Sequence, residues 1–159
     1  MSKEETIQQE LIKNFGFLEG KFRIPRERRI FLDVPADRFM DVFDYTVKKM
    51  NFNYLCIISG LDEGENLSFI YHLALNYSII LNIKISVPKS NPSIKTITGY
   101  FPSADLYERE LEDLLGAKVE GLAKGRRYPL PDDWPIGQYP LRKDWKPQDE
   151  PEVKQEKSN

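Results

Sequence analysis

The side chains that most often carry enzyme chemistry are scarce in this chain, which has one histidine, His72, and one cysteine, Cys56. A histidine that acts as a general base needs an acid that positions it, and the alternating run around His72 contains no acid. Cys56 lies within the apolar run YLCIISG, whereas a reactive thiolate needs a cationic setting that lowers its pKa. We interpret both residues as structural; a stand-alone enzyme that uses His72 or the carboxylates is the competing interpretation.

Paired carboxylates are the second candidate chemistry, in the stretch SADLYERELEDLLG at residues 103–116. The stretch reads as one helix, and adjacent helical residues point about 100° apart, so that they do not face each other. Glu108 and Glu112 share a face, but acids four residues apart are typical of a solvated stripe. We predict a buried stripe of Tyr107, Leu111, Leu114 and Leu115 with the charged residues outside it, namely Glu108, Arg109, Glu110, Glu112 and Asp113.

Composition narrows the class of protein. With 159 residues, of which 40% are hydrophobic, the chain is expected to fold as one domain. A net charge of −2 excludes a dedicated nucleic-acid binder with a strong basic field. No apolar run approaches the roughly 20 residues that cross a bilayer, so we expect membrane contact only through partner subunits. One cysteine and one histidine exclude a zinc or iron–sulfur site built from those residues alone.

Hydrophobic periodicity predicts an α+β fold, in which a four-stranded, mainly antiparallel sheet carries packed helices and is followed by an extended Pro-rich C-terminal segment. The predicted helices span 2–15, 36–51 and 103–116; the predicted strands span 28–34, 54–60, 67–76 and 78–87, with a candidate short strand at 94–98. We divide the chain into an α+β globular domain at 1–116, an extended partner-binding segment at 117–147 and a disordered tail at 148–159.

The segment 117–147 combines features that rarely occur together. Its prolines forbid a continuous helix or a central strand; they are Pro129, Pro131, Pro135 and Pro140. It nevertheless carries large aromatic side chains, which are Tyr128, Trp134, Tyr139 and Trp145. Aromatic residues and arginine are enriched at the cores of protein interfaces. We therefore expect that this segment cannot bury itself and that it lies on another protein.

Three motifs, taken in order, resemble the C-subunit family of respiratory complex I, the NADH dehydrogenase 30-kilodalton subunit. The first is E-R-E followed by an acid and a glycine, the second is R-R followed by D-D-W, and the third is P-L-R-K-D. They match Glu108, Arg109, Glu110, Asp113, Gly116, Arg126, Arg127, Asp132, Asp133, Trp134 and the run 140–144. Tyr139 stands where complex I members usually carry a histidine. With this tyrosine and with its R-R-Y and Y-P-L-R-K-D sequences, the chain looks more like the homologous subunit of energy-converting membrane-bound NiFe hydrogenases and sulfane reductases than like complex I members.

This resemblance implies a subunit without its own cofactor, in the peripheral arm on the cytoplasmic side of the membrane. Such a subunit braces a large NiFe-hydrogenase-like subunit and lies near a small subunit that holds a 4Fe-4S cluster, and ferredoxin is the expected electron donor. Clusters and nickel–iron then belong to partner subunits. A sulfane reductase, an NADH/quinone complex I and an independent α+β adaptor are the alternatives. The expected partner interface comprises Glu108, Arg109, Glu110, Asp113, Arg126, Arg127, Asp132, Trp134, Arg142, Lys143, Asp144 and Trp145.

Overall fold

The structure is a computed structural model that describes residues 1–147, so the predicted tail at 148–159 lies outside the described residues. The first helix, α1, spans Lys3–Asn14 and is capped, as predicted, by Ser2. Ser2 Oγ accepts a hydrogen bond from the Glu5 backbone N–H at 3.1 Å, and the Glu5 carboxylate accepts one from the Ser2 N–H at 2.7 Å. This reciprocal capping satisfies backbone donors that a helix start otherwise leaves free.

The main sheet has five strands, and not the four that the sequence predicts. They are β1 (Phe22–Arg26), β2 (Arg29–Asp33), β3 (Tyr54–Asp62), β4 (Asn66–Leu75) and β5 (Ile79–Pro88), in the spatial order β1-β2-β5-β4-β3. β2 and β5 are parallel, and the other pairs are antiparallel. β1 was missed because its stretch KFRIPRERR is basic and contains Pro25. A proline is tolerated there because β1 is an edge strand.

One face of this sheet carries the core. The helix α2 spans Phe39–Lys48 and follows a single 3-10 turn at Ala36–Arg38. Its Phe39 and Phe43 rings lie 4.5 and 5.8 Å from the ring of Tyr71 in β4. All three side chains are fully buried, so the alternating pattern of β4 and the helical pattern of α2 meet as predicted.

The helix that carries the acidic motif lies against β3, the edge strand opposite β1. A short strand β6 (Ser93–Lys95) precedes the helix α3 (Ala104–Leu115), and a short strand β7 (Lys118–Glu120) follows it and pairs with β6 in parallel. β7 lies at the start of the segment 117–147, which the sequence predicts as extended. α3 packs on β3 beside Gly60, where a Cβ atom would lie 2.7 Å from Leu111.

From residue 121 to residue 147 the chain forms turns and bends without further helices or strands. Among the described helices, none is both long and apolar enough to cross a membrane.

Candidate functional site

The carboxylate of Glu108 points into the molecule and is completely buried. Its Oε2 accepts a hydrogen bond from Thr96 Oγ1 at 2.6 Å, and its Oε1 accepts one from the Ile97 backbone N–H at 2.7 Å. Burial raises the pKa of Glu108, and these hydrogen bonds oppose the rise only in part. The prediction that Glu108 lies on a solvated face is wrong, because the loop after β6 folds over this position.

Two further charged residues of α3 hold other parts of the same chain. Arg109 donates to Asp105 through Nε and Nη2, both at 2.9 Å, and its Nη2 also donates to the Ala123 carbonyl at 2.8 Å. The Glu112 carboxylate accepts a hydrogen bond from the backbone N–H of Val119 in β7 at 3.3 Å. The helix therefore contacts the start of the C-terminal segment from two positions three residues apart.

Glu110 differs from these neighbours. It is half-buried, and its carboxylate makes no hydrogen bond or ion pair with any residue between 1 and 147. It lines a groove of about 220 Å³ together with Ile57 and Leu141.

Asp113 is the point at which the first two motifs meet, and it is only 7% exposed. Its Oδ1 accepts hydrogen bonds from Arg127 Nε at 2.9 Å and Nη2 at 2.7 Å, while its Oδ2 accepts one from the Leu130 backbone N–H at 2.8 Å. Arg127 Nη1 also donates to the Trp134 carbonyl at 2.8 Å. The prediction that Asp113 lies outside the buried stripe is wrong, because the arginine motif folds back over it.

Arg126 lies beside Arg127 in sequence but has different surroundings. Its Nη2 lies 2.9 Å from Asp132 Oδ2, and the two side chains are 83% and 67% exposed. An exposed pair of this kind contributes about 0–1 kcal/mol to stability. Arg126 and Asp132 are therefore accessible to another protein, whereas Arg127 is engaged within its own chain.

The two tryptophans of the segment share one residue, Gln138. Trp134 Nε1 donates to the Gln138 carbonyl and Trp145 Nε1 donates to its side-chain Oε1, both at 2.9 Å. The indole rings lie 6.0 Å apart, tilted by 33°, and both residues are half-buried. The structure thus brings Trp134 and Trp145 together as one aromatic pair.

Arg142 joins the third motif to the end of α3. Its Nε donates to the Leu115 carbonyl at 2.7 Å, and its guanidinium lies 4.5 Å from the centre of the Tyr139 ring. Gly116 ends the helix in the left-handed conformation, as predicted, with φ of 72°. A Cβ atom at Gly116 would lie 2.6 Å from the Tyr139 ring, so that glycine is required both by conformation and by space.

Asp62, at the end of β3, is a site residue that the sequence interpretation missed. Its Oδ2 accepts hydrogen bonds from Lys89 Nζ at 2.7 Å and from the Lys143 backbone N–H at 2.8 Å, and its Oδ1 accepts one from the Gly64 N–H at 2.8 Å. Lys89 Nζ also lies 2.9 Å from Asp144. Burial of the Asp62 carboxylate raises its pKa, but these hydrogen bonds outweigh burial and lower the pKa to about 2.

A signal for Asp62 was present in part. An aspartate two residues before a glycine, as in LDEGEN, indicates a turn in which the side chain accepts the glycine N–H. That pattern explains Gly64, but it does not reveal that Lys143, 81 residues later, binds the same carboxylate.

These contacts show that residues 117–147 hydrogen-bond to their own chain, although none of residues 120–147 is buried. Groups of α3 and Asp62 of β3 accept hydrogen bonds from backbone N–H groups of this segment. The segment also forms turn hydrogen bonds within itself, such as that from the Trp134 N–H to the Pro131 carbonyl at 3.0 Å. Binding of another protein by this segment stays a prediction.

The candidate catalytic residues lie elsewhere. His72 is on β4, with Nε2 3.0 Å from Ser59 Oγ and Nδ1 2.6 Å from Asn82 Oδ1. Burial raises the pKa of the Cys56 thiol. Over residues 1–147, no three side chains of His, Cys, Asp or Glu converge to hold a metal ion.

The fold and these contacts define a small α+β protein in which several charged motif residues bind groups of their own chain. The chain belongs to the family of the respiratory-chain NADH dehydrogenase 30 Kd subunit, whose model matches residues 32–151. This confirms the resemblance seen in the three motifs.

Named relatives agree with this membership. The chain is 30% identical over 143 residues to the C subunit of the F(420)H(2) dehydrogenase of Methanosarcina mazei, and the match covers 88% of this chain and 90% of that protein. It is 29% identical over 152 residues to the beta subunit of the membrane-bound hydrogenase of Pyrococcus furiosus, with 92% and 88% covered. A chain of the membrane-bound sulfane sulfur reductase, an archaeal respiratory membrane complex, superposes with a TM-score of 0.79 at 26% identity and 91% and 86% coverage. The chain is accordingly a subunit of a complex I-like membrane-bound complex.

Proposed function

We propose that this chain is a non-catalytic peripheral-arm subunit of an ion-pumping, ferredoxin-linked complex of the energy-converting NiFe hydrogenase type. It braces the large hydrogenase-like subunit, near the small 4Fe-4S subunit, on the cytoplasmic side of the membrane. The observation that carries this proposal is the pair of motifs GRRYPL and YPLRKDW. The similarity to the hydrogenase subunit of Pyrococcus furiosus along most of both chains supports it.

The internal contacts suit such a role. Arg127, Asp113 and Asp62 hold the C-terminal segment in one shape before any partner binds. A surface that is already ordered loses less conformational entropy on association, so more of the contact energy appears as affinity. Arg126 and Asp132 then offer exposed charges to the partner, and such charges favour correct register more than tight binding.

A membrane-bound sulfane reductase is the second candidate for the complex. The superposition on a chain of the sulfane sulfur reductase, with a TM-score of 0.79, favours it. The two candidates share this subunit type and differ in the reaction that the large subunit performs.

Native purification tests the proposal. The full chain carries an affinity tag in its own host, the complex is solubilised from membranes, and co-purifying proteins are identified. We expect a hydrogenase-like large subunit with four cysteines that hold nickel and iron, and hydrogen evolution from reduced ferredoxin. If the large subunit lacks those cysteines and the complex reduces sulfur compounds, the complex is the sulfane reductase and not the hydrogenase. A tagged chain that stays a solitary soluble monomer contradicts both and supports an independent adaptor.

A further inference from the structure

The free edge of β3 and the adjacent face of α3 form a surface groove. Residues 57–60 of β3 line it in succession. Because neighbouring strand residues point to opposite faces of a sheet, a groove lined by four consecutive residues runs along the strand edge and not over one face. Within residues 1–147, β3 pairs with β4 alone. The Cys56 carbonyl already accepts a hydrogen bond from the Tyr107 hydroxyl at 3.2 Å, so a strand that binds this edge would pair with residues 57–60.

The rim of this groove is apolar and exposed. Ile57 is 45% exposed and Leu141 is 55% exposed, and Leu114 of α3 lines the same groove. The position of Leu141 is defined, because its backbone N–H donates to the Leu114 carbonyl at 3.1 Å. The C-terminal segment therefore contributes one wall of the groove, and this wall is held in place by α3.

One charge lies at this rim without an opposite charge. The other acids of α3 each bind a group of this chain: Asp105 binds Arg109, Glu108 binds Thr96, Glu112 binds Val119 and Asp113 binds Arg127. Glu110 has no such partner among the described residues. Glu110 lines the groove beside apolar side chains, so an arginine or lysine that a partner brings there can form an ion pair with it and set the register of the bound segment.

We propose that this groove binds an extended segment of a partner subunit, which runs beside β3, places an apolar side chain between Ile57 and Leu141, and brings an arginine or lysine to Glu110. This inference rests on the proposed function, since it requires that the chain have a subunit partner. Its chemistry is strand addition for the backbone, apolar burial for affinity and charge pairing for register.

A charge reversal tests the groove. Glu110→Lys is compared with Glu65→Lys, which makes the same charge change at an exposed turn position away from the groove. Each variant is tagged as the full chain in its host, and the recovered large subunit is quantified per tagged chain. We expect Glu110→Lys to lower this recovery roughly tenfold or more and Glu65→Lys to leave it unchanged. Unfolding of the isolated variants is measured alongside, and equal stability separates loss of binding from loss of fold.

Cross-linking identifies the bound segment and remains informative if Glu110→Lys is unstable. A photo-reactive residue at position 57 is expected to capture a segment of another subunit that carries an arginine or lysine, while the same probe at exposed Tyr77 does not. Reversing that cation to glutamate in the Glu110→Lys background is then expected to restore recovery. Wild-type recovery by Glu110→Lys, or a captured segment without a cation, overturns the groove proposal alone. If the unmodified chain recovers no large subunit, the proposed function fails and the groove proposal fails with it.

Discussion

Arg127 and Asp113 are joined by two hydrogen bonds to a single carboxylate oxygen, at 2.9 and 2.7 Å, across 14 residues of chain. The pair links the acidic motif of α3 to the arginine motif of the C-terminal segment, and the second oxygen of Asp113 binds the Leu130 N–H. The sequence suggests that both motifs bind a partner protein, but some of their residues bind each other instead.

Arg127→Ala should destabilise the fold by about 2–3 kcal/mol, because it leaves the buried Asp113 carboxylate without its cation. Arg126→Ala is the matched control; it removes an exposed pair with Asp132 and should cost less than about 1 kcal/mol. Urea unfolding measures both values. Faster amide exchange at Leu130 in Arg127→Ala shows that the segment has detached from α3. Equal stability of the two variants contradicts the internal role of Arg127.

Glu108→Ala should cost about 1–3 kcal/mol, since it leaves the buried Ile97 N–H without an acceptor. Glu108→Gln keeps an acceptor oxygen for Ile97 and an amide donor for Thr96, so its cost should be smaller.

The pH dependence of stability should differ between the wild type, with glutamate at position 108, and Glu108→Gln, which cannot ionise. Because burial raises the folded-state pKa of Glu108 above its ordinary value of 4.5, the folded state retains this proton longer than the unfolded state. The wild type should therefore lose stability, relative to Glu108→Gln, as pH rises from about 4.5 through the folded pKa. A difference between the two proteins that does not change over this range contradicts the assignment.

Asp62→Asn should remove a contribution to the stability of the fold that is present at neutral pH and is lost in acid. The folded pKa of about 2 lies below the ordinary value of 3.8, so the ionised carboxylate stabilises the fold fully above about pH 4. That contribution, about 2 kcal/mol, disappears as pH falls through 2. Urea unfolding at several pH values should show wild type and Asp62→Asn converging in acid. Asp133→Asn, at an exposed position, is the control that should follow the wild type.

Gly116→Ala should be more destabilising than Gly64→Ala. Both glycines have positive φ, 72° and 98°, which costs a non-glycine residue about 1–2 kcal/mol. At Gly116 the new Cβ also meets the Tyr139 ring, whereas at Gly64 the space is open. The excess destabilisation, about 1–3 kcal/mol by thermal or urea unfolding, measures the packing of the third motif on α3. Equal destabilisation by the two substitutions would mean that Tyr139 is not packed against the end of α3.

Local sequence patterns predicted the helix ends and most strands, because residues close together in sequence determine these features. The serine before α1 and the glycine after α3 mark the helix ends, a short apolar run identifies β3, and alternation identifies β4 and β5. β1 was missed because an edge strand buries little of its surface, so its sequence carries no apolar alternation; its burial pattern is mainly exposed.

The candidate site could be predicted in part. The motif residues were identified, but Glu108 and Asp113 were assigned to a solvated face, and Asp62 was overlooked. A carboxylate on a helix has the same sequence pattern whether water or a later loop covers it. The covering groups come from positions 96–97 before α3, from 127–130 after it and, for Asp62 of β3, from position 143, so their approach depends on how distant parts of the chain fold together.

By itself, the sequence determined the family, the α+β class and the order of the main helices and strands, because these depend on residue types at short spacing. The tertiary structure alone decided which charges bind groups of the same chain and which remain exposed. That division depends on burial and on contacts between distant residues, since an ion pair forms only where the fold brings its members within a few ångströms. Glu108 and Asp113 are turned inward, and Glu110, between them on the same helix, is left at the open edge of β3.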